Sequence, residues 1–106
     1  MFDCTKMQAV CDNMKNAIHN KGKPSRLTRT KDESLKKQNR KESCGNMKPG
    51  KGMSCDEYPF ASTYEGGTGA VIAAVPIKEN NSQGGQLSAF YGKNDIQDGG
   101  CFEVKI

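Results

Sequence analysis

Three carboxylates, Asp56, Glu57 and Glu65, stand within ten residues of one another in a segment that also holds aromatic residues and a proline. The stretch directly upstream is the most basic part of the chain. Carboxylates hold divalent cations and act as general bases, and lysine and arginine side chains bind polyanions. Acidic and basic groups placed side by side in this way predict phosphodiester chemistry.

Charge is distributed unevenly along the chain. Residues 21–51 contain eleven lysines and arginines against three acids, a net charge of +8. Residues 1–20 are neutral, and residues 52–106 have three lysines against seven acids, a net charge of −4. Basic blocks of this kind often follow the phosphates of a nucleic acid. A solvated, flexible linker is the alternative interpretation of the same block.

Phosphodiester hydrolysis needs a base for water, a cation for the phosphate and the leaving oxygen, and positive charge for the rest of the strand. The only histidine, His19, is expected on the surface of an N-terminal helix, so a carboxylate is the more natural base. In an extended strand Asp56 and Glu57 point to opposite faces, so at most one should face a given site. A capping or salt-bridged pair is the alternative. Further oxygen donors follow downstream: Glu79, Asn80, Asn81, Gln83 and Gln86.

Helices that would carry these side chains are predicted at 5–20, 34–41 and 82–91. The first has a candidate N-cap at Asp3, and its apolar side chains recur at helical spacing. These are Met7, Val10, Cys11, Met14 and Ile18. The second is expected to turn Leu35 inward, and the third Leu87, Phe90 and Tyr91.

Strands are predicted at 56–63, 69–77 and 101–106. The middle one is the most apolar run of the chain and is expected to be the central strand, ending near Pro76. The intervening Gly-rich stretches, 64–69 and 79–86, are predicted to be irregular. The resulting order is helix, basic region, strand, strand, helix, strand.

Five cysteines in 106 residues favour two disulfides with one cysteine left over, as in secreted domains. Five free cysteines in a reducing compartment is the alternative. If Cys4 and Cys11 belong to one helix, about 10 Å of axis separates them, so they are not expected to pair with each other. Cys44 and Cys55 bracket a loop, which a bridge from either to the body would hold. The chain contains no Cys-x-x-Cys pair, so a structural zinc site is not expected.

The length allows one small domain, and no apolar run is long enough to span a membrane. The first residues show no secretory signal, which fits a mature form, an excised domain or a cytosolic protein.

A specific resemblance lies in the ordered motifs. The segment Cys55 to Gly67, followed by Val75 to Leu87, resembles the NucA/NucB-type deoxyribonuclease domain. That family shows an Asp-Glu-aromatic-Pro element, a Glu-Gly-Gly turn, a strand, and an asparagine before a Gly-rich helix start. The upstream stretches Thr28 to Lys31 and Ser34 to Lys37 also resemble the family, so the similarity covers roughly residues 26–92.

The resemblance implies an α+β fold with a small ββα-metal type core, a short antiparallel sheet plus a helix, with an N-terminal helix and disulfide support. It implies a non-specific endonuclease using Mg²⁺ or Mn²⁺, with Asp56 as general base. Asn81 would bind the metal, with Asn80 as the competing register. Glu57 and Glu65 match family positions and would act at the metal directly or through water. Candidates for substrate contact are Arg29, Lys31, Lys36 and Lys37, with Gln86 a weaker one.

The interpretation is a single nuclease domain, 1–106, made of an N-terminal helix (1–22), a basic region (23–54) and a catalytic core with a closing strand (55–106). The expected protein is a secreted monomer that acts on DNA and does not bind a membrane. Whether it also cleaves RNA, and whether it has a cognate inhibitor, is left open. A small secreted basic effector that coats nucleic acid or a cell surface without cutting it is the alternative. An inactive or inhibited toxin domain of a larger polypeptide is a third reading.

Overall fold

The computed structural model describes residues 1–106 and contains three α-helices and two antiparallel sheets of two strands each. The helices are α1 (Gln8–Lys15), α2 (Glu33–Cys44) and α3 (Ile77–Lys93), and the strands are β1 (Arg26–Thr28), β2 (Met53–Tyr58), β3 (Val71–Pro76) and β4 (Cys101–Glu103). A 3₁₀ turn, Cys4–Lys6, precedes α1, and a π-helical turn, Asn16–Asn20, continues it. The expected α+β class is confirmed, including two antiparallel strands followed directly by a helix. No helix is long and apolar enough to cross a membrane.

The β2–β3 sheet carries the candidate site. Its register runs from Met53 opposite Pro76 to Tyr58 opposite Val71. Contrary to expectation, β3 is not a central strand, because β4 pairs with β1 in a separate sheet. β1 was missed from the sequence, since three residues are too few to show an alternating pattern. Each strand of the β2–β3 sheet therefore keeps one free edge.

Helices cover both faces of the β2–β3 sheet. α1 and α3 pack on one face, and α2 lies against the other. The predicted apolar face of the first helix is confirmed, because Met7, Val10 and Met14 are fully buried in the main hydrophobic cluster. Burying each such side chain contributes about 1.5–3 kcal/mol. These contacts hold α1 and α3 against the strand that bears Asp56.

The start of α1 depends on a residue far away in the sequence. Met7, at the N-cap position, makes no side-chain cap. Instead Oε1 of Glu79 in α3 accepts hydrogen bonds from the backbone N–H groups of Ala9 (2.8 Å) and Val10 (3.3 Å). A carboxylate is favourable there because the first N–H groups of a helix have no intrahelical partner. Glu79 thus serves as a cap rather than as a cavity ligand.

Two disulfides with one free cysteine, Cys101, are present as predicted. The expectation that Cys4 and Cys11 do not pair was wrong. The helix is interrupted at Met7, so Cys4 lies in the separate 3₁₀ turn and its Cα is 5.8 Å from that of Cys11. The other bridge joins Cys44, at the end of α2, to Cys55 in β2. It closes the loop on itself instead of linking one cysteine to a distant part of the body.

Two helices are longer than predicted. α3 begins at Ile77 rather than at residue 82, so the Gly-rich stretch expected to be a loop is helical. Packing outweighs the cost of about 1 kcal/mol for each helical glycine. α2 extends to Cys44 and begins after Asp32, whose side chain accepts from the N–H groups of Ser34 and Leu35. The basic region is therefore folded and forms β1 and α2.

Candidate active site

A cavity of about 520 Å³ lies along the free edge of β2. Residues of α2 line one side of it, and residues of α3 line the other. Phe60, Ala61 and Ser62, which follow β2, complete the wall together with Arg29. Because the cavity spans the strand edge, it collects side chains from both faces of the sheet.

One face of α3 supplies more of the lining residues than any other element does. The lining residues are Asn80, Gln83, Gly84, Leu87, Ser88 and Tyr91, which follow the three- and four-residue spacing of a helix face. The side of the helix that faces the cavity is therefore mostly polar. Gly84 leaves open space there, with no atom within 4 Å of where a Cβ would stand.

Asp56 is the most buried ionisable group of the cavity, with only 2% of its surface exposed. Its Oδ2 accepts a hydrogen bond from Nδ2 of Asn13 in α1 at 3.1 Å. Asn13 also donates to the carbonyl of Val71 at 3.2 Å, which fixes its orientation. Burial, helped by the neighbouring charge of Glu57, raises the pKa of Asp56 to about 7 against the opposing effect of the hydrogen bond from Asn13. The site therefore holds a carboxyl group that changes charge near neutral pH.

Glu57 points to the opposite face of β2, towards α2, yet it also lines the cavity. The expectation that only one of the two acids faces a site was wrong, because the cavity encloses the strand edge rather than one face. Burial raises the pKa of Glu57, and the positive charge of Arg40 opposes this. Oε1 of Glu57 is buried without a partner, and Oε2 lies 3.2 Å from Sγ of Cys44, a disulfide sulfur that carries no hydrogen.

The two asparagines at the start of α3 are separated by the helix geometry. Asn80 lines the cavity, and its Nδ2 donates to Oγ of Ser54 at 2.8 Å. The amide oxygen is therefore the end that remains for a cation. Asn81 is exposed and is not part of the wall. Of the two registers considered from the sequence, it is Asn80 that lines the same cavity as Asp56.

Three cationic side chains share the cavity with the two acids. Arg29, Lys36 and Arg40 line the cavity. Lys36 also forms an ion pair with Glu33 at 2.9 Å. Lys31 and Lys37, the other two candidates for phosphate contact, are exposed and lie outside the wall.

Three further side chains considered from the sequence lie elsewhere. Both carboxylate oxygens of Glu65 accept from Thr28, one from its N–H (2.8 Å) and one from its hydroxyl (2.9 Å), which attaches the Glu-Gly-Gly turn to β1. Gln86 accepts from the N–H of Asp3 at 2.8 Å. His19 is exposed near the carbonyl of Ile106. None of the three lines the cavity.

The oxygen donors of the cavity fit a hard divalent cation. Asp56 and Glu57 supply carboxylates and Asn80 an amide oxygen, and the unpartnered Oε1 of Glu57 is a buried acceptor that a cation would satisfy. No group of three or more His, Cys, Asp or Glu side chains is arranged to hold a metal. Mg²⁺ does not require one, since it is usually bound through one or two carboxylates and keeps several waters.

Sequence reasoning missed the role of Asn13, and it considered Gln83 only as one of several downstream oxygen donors. Both are 6% exposed, and Gln83 lies in the cavity wall with its Nε2 3.7 Å from Sδ of Met14. The available signal for Asn13 was its position three residues after Val10 on a face that is otherwise apolar. A polar residue there is expected to have a buried partner.

A buried carboxyl group with a raised pKa in a cavity open to solvent marks a candidate functional site, and the cationic side chains that share the cavity suit a phosphate ester. The family model described as Deoxyribonuclease NucA/NucB matches residues 4–105, nearly the whole chain. The chain belongs to this family. Membership supports nuclease activity and suggests that a divalent metal takes part in it. No curated protein matches the chain.

Proposed function

We propose that the protein is a metal-dependent, non-specific endonuclease that hydrolyses phosphodiester bonds of DNA, with Asp56 as the general base. The observation that carries the proposal is the buried Asp56, with a pKa of about 7, in a cavity also lined by Arg29, Lys36 and Arg40. The proposed unit is a single nuclease domain, 1–106, acting as an extracellular monomer. Two disulfides support an oxidising compartment.

Asp56 is suited to proton transfer from water. A general base works best when its pKa lies near the working pH. The ionised carboxylate takes a proton from water while the water oxygen bonds to phosphorus and the bond from phosphorus to the leaving sugar oxygen breaks. The hydrogen bond from Asn13 holds Oδ2 and so orients the carboxylate during this step. Lys36 and Arg40 hold the negative phosphate oxygens.

Asn80 and Glu57 are the proposed ligands of Mg²⁺ or Mn²⁺, with Asn80 in place of the exposed Asn81. When bound, the cation would neutralise charge on the phosphate and on the leaving oxygen. Glu65 is a weaker candidate for a metal ligand, since it lies outside the cavity and both its carboxylate oxygens accept hydrogen bonds from Thr28. The cationic contacts proposed here are to phosphate, which carries little base information, so cleavage without strong sequence preference and some cleavage of RNA are expected.

The test is cleavage of plasmid DNA, single-stranded DNA and RNA with Mg²⁺, Mn²⁺, Ca²⁺ or excess chelator. We expect the wild type to cut in Mg²⁺ or Mn²⁺, and Asp56→Asn to be about 10²–10⁴-fold slower. Asp12→Asn removes an exposed carboxylate from α1 and serves as the matched control. Undiminished cleavage in chelator would exclude the metal-dependent mechanism, and an active Asp56→Asn variant would exclude the assigned base.

A non-catalytic nucleic-acid-binding protein is the second candidate. It is favoured by the exposed cationic surface of α2, which presents Lys37, Arg40 and Lys41. Salt-sensitive binding of DNA with no cleavage in any of the metals would support it over the nuclease.

A further inference from the structure

We propose that Arg29, Ser62 and Tyr91, at one end of the cavity, form a second phosphate subsite for a backbone phosphate next to the one that is cleaved. The inference rests on the proposed nuclease function and concerns how much of the strand the same cavity recognises. It assigns Arg29 to a neighbouring nucleotide instead of the reacting phosphate.

Arg29 is held in a fixed orientation. Its backbone N–H donates to the carbonyl of Gly100 at 2.9 Å, and its own carbonyl accepts from Gly99 at 2.8 Å. Nη1 donates to the carbonyl of Ile96, and the guanidinium carbon lies 4.3 Å from the centre of the Tyr91 ring. A guanidinium fixed in this way loses little conformational entropy when it binds a ligand.

The charge of Arg29 has no partner in the protein. The only ion pair within 4 Å in the structure is Lys36 with Glu33, so no carboxylate neutralises Arg29. Its Nε is buried and makes no hydrogen bond. A buried donor on a cationic group is costly when it is left unsatisfied. Arg29 lines the cavity, and a phosphate bound there would supply the missing negative charge and match the guanidinium donors that face it.

Hydroxyl groups next to Arg29 extend the same subsite. The hydroxyls of Ser62 and Tyr91 lie 2.8 Å apart, and both residues line the cavity. Phe60 and Leu87, which also line the cavity, are 4% and 7% exposed and belong to the hydrophobic core, so the contacts that this subsite offers are mainly polar. The chemical class of the ligand is a phosphate of the strand whose neighbouring linkage is cleaved.

Helix geometry separates this end from the proposed reaction centre. Asn80 and Tyr91 are eleven residues apart on one face of α3, which corresponds to about 16 Å along the axis. A single phosphate cannot contact both. The subsite is therefore assigned to a phosphate one to three nucleotides from the cleaved linkage.

The test uses short thymidine oligonucleotides that carry one cleavable linkage in a background of uncharged methylphosphonates. A second charged linkage is placed one, two or three positions away on either side. For the wild type we expect one of these placements to lower KM by about 10- to 100-fold, the range of a charge-assisted hydrogen bond. In Arg29→Gln the same placement should change KM by less than about threefold.

Arg26→Gln is the matched control, because Arg26 is exposed on β1 and lies outside the cavity. It should keep the full effect of the second charge. Arg29→Lys keeps the positive charge but lacks the guanidinium fork, so it should retain part of the effect. If circular dichroism shows that Arg29→Gln is unfolded, Arg29→Lys takes its place in the comparison. An equal gain in wild type and Arg29→Gln, or no gain at any placement in the wild type, would overturn the proposal.

Failure of the nuclease function gives a different result. The wild type would then cleave none of the oligonucleotides in any metal. In that case the subsite is tested by the binding of inorganic phosphate, monitored through the chemical shifts of the backbone amides. Shifts at residues 29, 62 and 91 in the wild type that are absent in Arg29→Gln support it, and their absence in both proteins overturns it.

Discussion

Asp56 is both the proposed base and a cost to the fold. With 2% of its surface exposed, it is stabilised in the protonated form, and its pKa rises to about 7 from an ordinary value of 3.8. The folded protein therefore holds more protons than the unfolded chain between these two pH values. The stabilising effect of the protonated group is fully present below pH 3.8 and is lost as the pH rises through about 7.

Replacing Asp56 with Asn should remove this pH dependence. In chelator, we compare the free energy of unfolding of Asp56→Asn with that of the wild type. The advantage of the variant over the wild type should be larger at pH 8 than at pH 4.5, and the increase should be about 2–4 kcal/mol. The Asn side chain can still accept the hydrogen bond from Asn13. Urea unfolding at the two pH values measures the difference, with Asp12→Asn as control. Parallel behaviour of wild type and Asp56→Asn would show that the pKa of Asp56 is close to normal in the folded protein.

Asn13 provides a separate test of how Asp56 is held. Asn13→Leu fills a similar volume but removes the hydrogen bond to Oδ2 of Asp56, so we expect kcat to fall about 10-fold or more with little change in KM. Steady-state kinetics of plasmid or oligonucleotide cleavage measures the split. Asn20→Leu, on an exposed position of the π-helical turn, is the control. A rise in KM at unchanged kcat would instead place Asn13 in substrate binding.

Part of the candidate site could be predicted from the sequence. Asp56 and Glu57 were found because acids beside an aromatic and a proline form a recognisable order, and Arg29 and Lys36 because the basic block is dense. The choice between Asn80 and Asn81 depends on which way α3 faces, and that follows from packing against the sheet. Asn13 depends on a contact between residues 43 positions apart, which no local pattern contains.

At the scale of elements, the bridge between Cys44 and Cys55 joins one wall of the cavity, α2, to the strand that carries the two acids. It connects the end of α2, which carries Lys36 and Arg40, to the residue before Asp56. The bridge thus fixes the cationic helix relative to the acidic strand. Its effect should be visible both in stability and in activity.

Removing this bridge with Cys44→Ser and Cys55→Ser together should lower the free energy of unfolding by about 2–3 kcal/mol, the range for a short closed loop. We expect cleavage to fall as well, since α2 is then less firmly placed. Cys101→Ser is the control, because Cys101 is exposed and unpaired. Urea unfolding and plasmid cleavage measure the two effects. Unchanged stability in the double variant would mean that packing alone holds α2 in place.

Most helices and strands followed from periodicity, while their bounds and pairings did not. The apolar face of the first helix was correct because several residues repeat at helical spacing. The pairing of Cys4 with Cys11 was excluded on the assumption of one continuous helix, and the break at Met7, with φ −154° and ψ 57°, removed that assumption. β1 and β4 have only three residues each, so their pairing is decided by the rest of the fold.

At the scale of the whole molecule, the uneven charge of the chain becomes a division of the site. The basic segment, residues 21–51, forms β1 and α2 and supplies Arg29, Lys36 and Arg40 to the cavity. The less basic remainder supplies Asp56, Glu57 and the polar face of α3. The basic segment thereby attracts a polyanion towards the cavity that holds the acids.

This division predicts the salt dependence of DNA binding. Each phosphate contact adds about −0.9 to the slope of the logarithm of the binding constant against the logarithm of the salt concentration. Lys37→Gln and Lys41→Gln, both exposed on α2, should each weaken binding and make the slope less steep by up to about 0.9. Lys15→Gln, on the neutral N-terminal segment, should leave the slope unchanged. Fluorescence anisotropy with a labelled duplex, measured in chelator from 50 to 200 mM salt on the Asp56→Asn background, gives the slopes. If Lys15 changes the slope as much as Lys37 and Lys41 do, binding follows the overall charge of the protein and the strand does not lie along α2.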